Sequence, residues 1–509
     1  MKDLAKSAGS LKIICYYTGW IIIGTAALMM LPVIIALLFN EWEPLLDFII
    51  SMCTAMLCGI GLMLLGWHTR QEKASIQWKH GFIVAALAWM LLMVLCALPY
   101  YLSGHSQSYL DACFDVMSGF TTTGLVLTQD LDHLSVALNV WRHILTFIGG
   151  QGMVVLALAF LTKETSGAYR LYVGEAKDIE LVPNVKGTAK IIWKISMIYL
   201  AVGMAVLWVV GIMIGLKPLS ALLHAFYMFS SSWSTGGFAP MTQNIMYYHS
   251  FAYETITMVF FILGSFNFGL HYAVWQGNKK ELLRNIETKS FLITSFILSM
   301  AAMFWLMRLN VYPDAVSAFR RIVFNILSAN TTTGLGSIYA RQFLFDWGDM
   351  GILIMVIAML IGGSACSTAG GFKGLRVGIL CKAIVMDIKK LLSSERNMKA
   401  FKYHHIKDRI LDDTVVKSSA QIVLYYLVLF AGGTLLGVFY GYPLADSAFE
   451  SASVTGNVGL SIGITAASMP TAIKLYDIFA MYLARLEFLS VFALVGYLIG
   501  GAKKLCRRS

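Results

Sequence analysis

The feature that most constrains this chain is the repeated occurrence of apolar runs about 20 residues long, the length a helix needs to cross a hydrocarbon core of about 30 Å. Segments 13–39 (IICYYTGWIIIGTAALMMLPVIIALLF), 46–66, 81–102, 191–215 and 421–440 all qualify. Of the 509 residues 58% are hydrophobic and only 13% charged, about half the charged share of an ordinary soluble domain. A soluble enzyme is excluded, and a multi-spanning membrane protein is expected. The first run is too long for a signal-peptide core and is read as a mature helix.

The net charge of +11 would suit a nucleic-acid binder if it formed a patch, but it is distributed by loop. The segment 373–417 alone carries eleven Lys and Arg, whereas the alternate loops hold only Lys217, Arg320, Arg321 and Arg341. The positive-inside rule puts both termini and the basic loops in the cytoplasm. No nucleic-acid partner is expected. The eight cysteines form no CxxC pair and have no His at metal-ligand spacing, so they read as small packing residues.

Four segments in the charge-poor loops align without gaps: FDVMSGFTTTGL (114–125), FYMFSSSWSTGGF (226–238), FNILSANTTTGLG (324–336) and FESASVTGNVGL (449–460). All fit F-x3-S-x5-G, which pairs Gly124, Gly236, Gly334 and Gly459. The copies recur about every hundred residues, far longer than the 20–50 residues of a solenoid repeat. Around each copy the order is long apolar span, short semi-polar helix, Gly-containing turn, then a further apolar span. A backbone that leaves helical geometry at membrane depth is tolerated only where it is buried or lines water, so the four turns are expected to face one pore.

The expected fold is an all-α membrane protein. Four helix–pore loop–helix repeats surround a central pore, preceded by two N-terminal transmembrane helices that pack on its periphery. The corresponding boundaries are 1–70 for the N-terminal pair, then 71–170, 171–285, 286–415 and 416–509 for the repeats.

Thr121, Thr122, Thr123, Ser234, Thr235, Thr331, Thr332, Thr333, Asn457 and Val458 are uncharged, as befits a filter that replaces a monovalent cation's hydration shell with carbonyl oxygens. A lone TTTG would be an ordinary helix-terminating turn; four in register argue for a filter. Asp115 and Glu450, one residue after the aligned Phe, are expected to cap their helices or to draw cations to the mouth. Segment 362–371 sets Gly, Ser and Ala inside an apolar stretch and should be a break in the helix. A small-residue packing surface is the alternative there. Arg485 falls inside the last apolar run, where a charge is costly enough to imply function, unless it is an interfacial Arg paired with Glu487.

These residues resemble the Trk/Ktr/HKT superfamily of potassium transporters, and within it the TrkH/TrkG type of bacteria. The likeness runs through IGGQGMVVLALAF (148–160), GSFNFGLHY (264–272), GGSACSTAGGFKGLRV (362–377) and LARLEFLS (483–490), which look like the family's four post-filter helices. The two extra N-terminal runs favour the Trk branch. The resemblance implies potassium uptake across the bacterial inner membrane, with glycine at all four filter positions implying potassium over sodium.

The resemblance also implies an intramembrane gate loop, with Gly362, Gly363, Ser364, Gly370 and Gly371 as gate candidates and Arg485 beside them. It further implies a homodimer seated on a TrkA-like cytoplasmic ring that binds ATP, ADP or NAD. The run KAFKYHHIKDR would contact that partner or anionic lipid. A secondary transporter coupling potassium to protons or sodium is the alternative. No Walker motif, GxGxxG or HExxH occurs, and His143, His224 and His271 read as interfacial, so no enzyme is expected.

Overall fold

The computed structural model describes residues 2–67, 77–152, 155, 185–392 and 401–506. Most of 148–160, the basic loop from 163 to 184 and the last three residues lie outside the described part. Within it, six helices are long and apolar enough to cross a membrane: Ser10–Leu38, Trp42–Leu65, Trp78–Leu102, Lys186–Met213, Ile286–Arg308 and Asp413–Phe439. Their outer faces leave Leu57, Phe304, Val428 and similar side chains uncovered. For a chain bathed in lipid this is the favourable arrangement, because the solvent of those faces is itself apolar.

The last four of these helices each lead into a short helix: Tyr109–Phe120, Pro218–Trp233, Ala315–Asn330 and Leu444–Gly456. At 1.5 Å per residue none reaches across a bilayer core. Local chemistry starts them. Ser108 and Asp314 cap the first and third by accepting the N–H groups of Asp111 and Ser317, and Pro218 opens the second at a position where its missing N–H costs nothing.

The helices that follow the second and fourth turns depart from the expectation of continuous spans, while the third breaks where its glycine-rich segment predicts. Phe251–Gly264 and Phe268–Trp275 meet at 98°, and Thr471–Arg485 and Leu489–Gly500 at 114°. Gly348–Ile361 stops at Gly362 and resumes as Gly374–Leu392. Each break has a local cause. Asn267 caps a new helix by accepting the Gly269 N–H, Gly362 takes φ +74°, and Glu487 and Phe488 adopt left-handed backbone at φ 49° and 68°. Arg485 is therefore the last residue of a half-helix and not an interior residue of a span.

The N-terminal pair crosses at small residues, where a Cβ on Gly19 would lie 2.6 Å from the Gly59 carbonyl oxygen. It docks on the first unit: Glu41 accepts the N–H groups of Val136 and Ala137 at 2.8 and 3.0 Å, capping the helix Val136–Gln151. Among the described residues the fold is otherwise helical, with one addition to the all-α expectation. Residues Lys402–His405 (β1) and Lys407–Ile410 (β2) form an antiparallel hairpin turned at Ile406. Tyr403 buries itself there among Ile286, Ile379, Met386 and Leu411, so part of the basic run is a folded element.

Candidate functional site

The C-terminal ends of the four short helices converge on four turns of one geometry. In each, a backbone N–H reaches back to a serine carbonyl at 2.8 Å: Thr123 to Ser118, Gly236 to Ser231, Thr333 to Ser328 and Val458 to Ser453. The residue before the donor is left-handed in every case, with φ of 55° at Thr122, 50° at Thr235, 56° at Thr332 and 52° at Asn457. A glycine with positive φ follows the donor: Gly124, Gly237, Gly334 and Gly459.

This corrects the register of the second turn by one residue. Tyr227, Ser231 and Gly237 are the counterparts of Phe114, Ser118 and Gly124, and Gly236 takes the place of Thr123. The sequence alignment chose Phe226 because a Phe was fixed in the other copies, and the adjacent Gly236 and Gly237 made either register admissible. Tyr227 is buried as the aligned Phe residues are, whereas Phe226 is only partly covered.

The four glycines close a ring. A Cβ placed on Gly124 would lie 2.7 Å from the Gly236 carbonyl oxygen, one on Gly237 2.4 Å from that of Thr333, one on Gly334 1.9 Å from that of Val458, and one on Gly459 2.0 Å from that of Thr123. Every unit thus abuts the carbonyl preceding the equivalent glycine of the next, and the fourth returns to the first. Each approach would put a Cβ closer to an oxygen than such atoms come, on a backbone that L side chains rarely adopt. Side chains reinforce the closure: Asn457 Nδ2 donates to Thr123 Oγ1 at 3.0 Å, and the Thr121–Thr123 and Thr331–Thr333 hydroxyl pairs are 2.8 and 2.7 Å apart. The ring offers oxygen and no charge.

Asp115 and Glu450 neither cap their own helices nor stand free. Both sit mid-helix and brace the chain leaving the turn. Asp115 accepts the N–H groups of Leu127 and Thr128 and the Thr128 hydroxyl, while Glu450 accepts the N–H groups of Ile462 and Ile464 and the hydroxyls of Ser461 and Thr465. In the third unit Asn325 plays this part, accepting the Ser337 N–H at 3.2 Å. Sequence reading missed Asn325, although its offset from the conserved serine carbonyl matches that of the two carboxylates.

Segment 362–373 lies against the same turns. Its ends nearly touch, a Cβ on Gly362 falling 2.2 Å from the Gly370 carbonyl oxygen. Thr368, unremarked in the sequence, is its hub. Its carbonyl accepts from Thr122 Oγ1 at 3.4 Å and from Arg485 Nη1 at 2.6 Å; its hydroxyl accepts from Thr235 Oγ1 at 3.1 Å and donates to the Gly264 carbonyl at 2.8 Å. The Gly370 N–H donates to Thr332 Oγ1 at 2.7 Å, and Gly370 packs on the Gly456 carbonyl. The segment therefore touches all four turns, and Gly363 and Ser364 are buried beside Ser265. Arg485 also donates to the Gly149 carbonyl at 2.7 Å. The expected alternative of an Arg485–Glu487 pair gives way to a different partner, since Glu487 bonds to Arg376.

The family model described as TrkH, cation transport protein, matches residues 51–497. Among curated relatives, TrkG of Escherichia coli, a Trk system potassium uptake protein, is 29% identical, covering 94% of this chain and 96% of its own. An uncharacterized cation transporter of Methanocaldococcus jannaschii is 26% identical over 97% of both chains. The crystal structure of the potassium transporter TrkH from Vibrio parahaemolyticus superposes with a TM-score of 0.80 at 24% identity, over 95% of this chain and 98% of that one, which establishes a shared fold.

Proposed function

The chain belongs to the TrkH family of cation transport proteins, and from that premise we propose that it carries potassium ions into the cell across the inner membrane, passively, through the ring of four turns. Transport, not catalysis, is the family's activity. The observation that carries the proposal is the closed ring at Gly124, Gly237, Gly334 and Gly459, in which each glycine meets a carbonyl of the next unit. In this reading the filter comprises Thr121, Thr122, Thr123, Gly124, Ser234, Thr235, Gly236, Gly237, Thr331, Thr332, Thr333, Gly334, Asn457, Val458 and Gly459. Their backbone carbonyls replace the ion's water without a fixed charge to trap it. The four converging helix C-termini add partial negative charge where the ion sits.

The loop holding Gly362, Gly363, Ser364, Gly370 and Gly371 is the gate, pinned closed by Arg485, whose cationic head also discourages ion passage. The basic segments, including the hairpin 402–410, face the cytoplasm. The chain works as a homodimer on a TrkA-like nucleotide-binding subunit that moves the gate. Named potassium uptake relatives support the choice of ion. The test is 86Rb+ uptake into potassium-loaded liposomes holding this chain alone. Concentrative uptake driven by the outward potassium gradient, without a proton or sodium gradient, supports a passive pore; uptake that requires such an imposed gradient supports a coupled transporter.

A further inference from the structure

His404 and His405 are adjacent on β1, so their side chains leave the strand on opposite faces. Each meets a buried glutamate. His404 Nε2 donates to Glu281 Oε2 at 2.9 Å, and the Ile406 N–H donates to Glu281 Oε1 at 3.2 Å. His405, itself buried, places Nε2 3.2 Å from Oε2 of Glu287, which is only 1% exposed.

Glu287 then reaches the loop. Its Oε1 accepts the backbone N–H of Ala365 at 2.6 Å, and Asn267 Nδ2 bridges Glu287 Oε2 at 3.4 Å to the Ala365 carbonyl at 2.8 Å. Ala365 lies three residues before Thr368, which touches the turns. One carboxylate therefore has the hairpin on one oxygen and the loop on the other.

We propose that hairpin 402–410 is a latch on loop 362–373 and that Glu287 is the positioning residue through which it acts. The inference rests on the reading of that loop as the gate and adds a control point outside the membrane spans. With the imidazole seated against Oε2, the Glu287 side chain is held where Oε1 accepts the Ala365 N–H. When the hairpin lifts, Oε2 keeps only the long amide bond and the side chain loses the imidazole packed against it, so its grip on Ala365 loosens. The other end of the loop is tied separately: the Phe372 and Lys373 N–H groups donate to the Leu360 and Ile361 carbonyls, and Arg376 pairs with Glu487. The latch accordingly acts on the Ser364–Cys366 side, whose other ties are the Ser364 N–H on the Ser265 carbonyl and the Phe268 N–H on the Cys366 carbonyl.

Cys366 is a built-in reporter, because it is a buried thiol within the loop. The experiment uses the full chain in liposomes with Cys366 as its sole cysteine. It measures the rate of labelling by a small methanethiosulfonate reagent together with 86Rb+ uptake, in His405→Gln, Glu287→Gln and the double variant. Each single change is expected to raise both rates at least about fivefold, the low end of coupling between linked sites. The double variant should exceed the larger single by little, since both act on one chain of contacts.

Unchanged labelling in a folded His405→Gln protein, or additive effects in the double, overturns the latch. Should His405→Gln fail to fold, His405→Arg still sets a nitrogen donor opposite Glu287 and is expected to label at the parent rate, and faster labelling there overturns it as well. Labelling that rises while uptake does not would leave the latch standing and remove the gate.

Discussion

The ring of turns and the loop against it are built on opposite principles. The ring is made four times over, by the same hydrogen bond, left-handed residue and glycine in every unit, and it is packed so closely that no Cβ fits. Among the described residues the loop is made once, in the third unit, and apart from the close packing of Gly370 on the Gly456 carbonyl its ties to the turns are polar contacts from Thr122, Thr235, Thr332 and Arg485. Close backbone packing gives a rigid element with no alternative arrangement. A few hydroxyl and guanidinium bonds give one that can leave. The contrast matches the two tasks proposed for them, a filter that must keep its shape and a gate that must lose its place.

The largest effect expected from breaking this contrast is in the ring. Gly237 and Gly463 both have positive φ, but a Cβ on Gly463 meets nothing within 4 Å. Gly463→Ala should cost only the left-handed strain of roughly 1–2 kcal/mol and keep uptake. Gly237→Ala adds overpacking of about 1–3 kcal/mol and should abolish it. Thermal unfolding in detergent and 86Rb+ uptake measure the two parts, and equal effects at both sites would show that closeness in the ring is immaterial.

Next comes Arg485→Gln, which removes a cation from the Thr368 and Gly149 carbonyls. Uptake by the chain without any regulatory subunit should rise by about fivefold or more, with the preference for potassium over sodium unchanged. A loss of preference would mean that loop and ring are one element. A smaller, purely structural effect is expected at the braces: Asp115→Ala leaves two N–H groups without their acceptor and should destabilise the protein by about 1–3 kcal/mol without speeding Cys366 labelling.

The smallest effect is set by pH. Both ring nitrogens of His404 face carboxylate oxygens, Glu281 first and then Asp408, and this raises its pKa above the ordinary 6.5. A raised pKa means that docking of the hairpin is fully supported below pH 6.5 and is lost as pH climbs through the higher folded value. For so partly exposed a group the contribution is at most about 1 kcal/mol. Hydrogen exchange at the Ile406 amide, corrected for its intrinsic pH dependence, should therefore quicken on the alkaline side, and a flat profile would contradict the pairing.

The sequence carried the repeated part of this architecture well and the unique part poorly, for physical reasons. Spans are legible because length and apolarity decide them, and three of the four turns were found in register because Phe, Ser and Gly recur at fixed offsets. The second turn slipped by one residue because Ser230–Ser231 and Gly236–Gly237 each satisfy the pattern twice, while Tyr227 stands where the other copies have Phe. The brace at Asn325 was hidden by the change from carboxylate to amide. Loop 362–371 was marked by its glycines, but its hub is Thr368, whose partners come from three other units and leave no local trace. The hairpin at 402–410 looked like a charge run because its two histidines find their glutamates more than a hundred residues away.

The most direct test of the central claim is 86Rb+ uptake into potassium-loaded, sodium-bathed liposomes containing the intact chain or Gly334→Ser, whose Cβ would fall on the Val458 carbonyl. The intact chain is expected to take up Rb+, and the variant to lose that uptake or replace it with sodium entry. Undiminished, equally selective Rb+ uptake by a folded Gly334→Ser protein would contradict it.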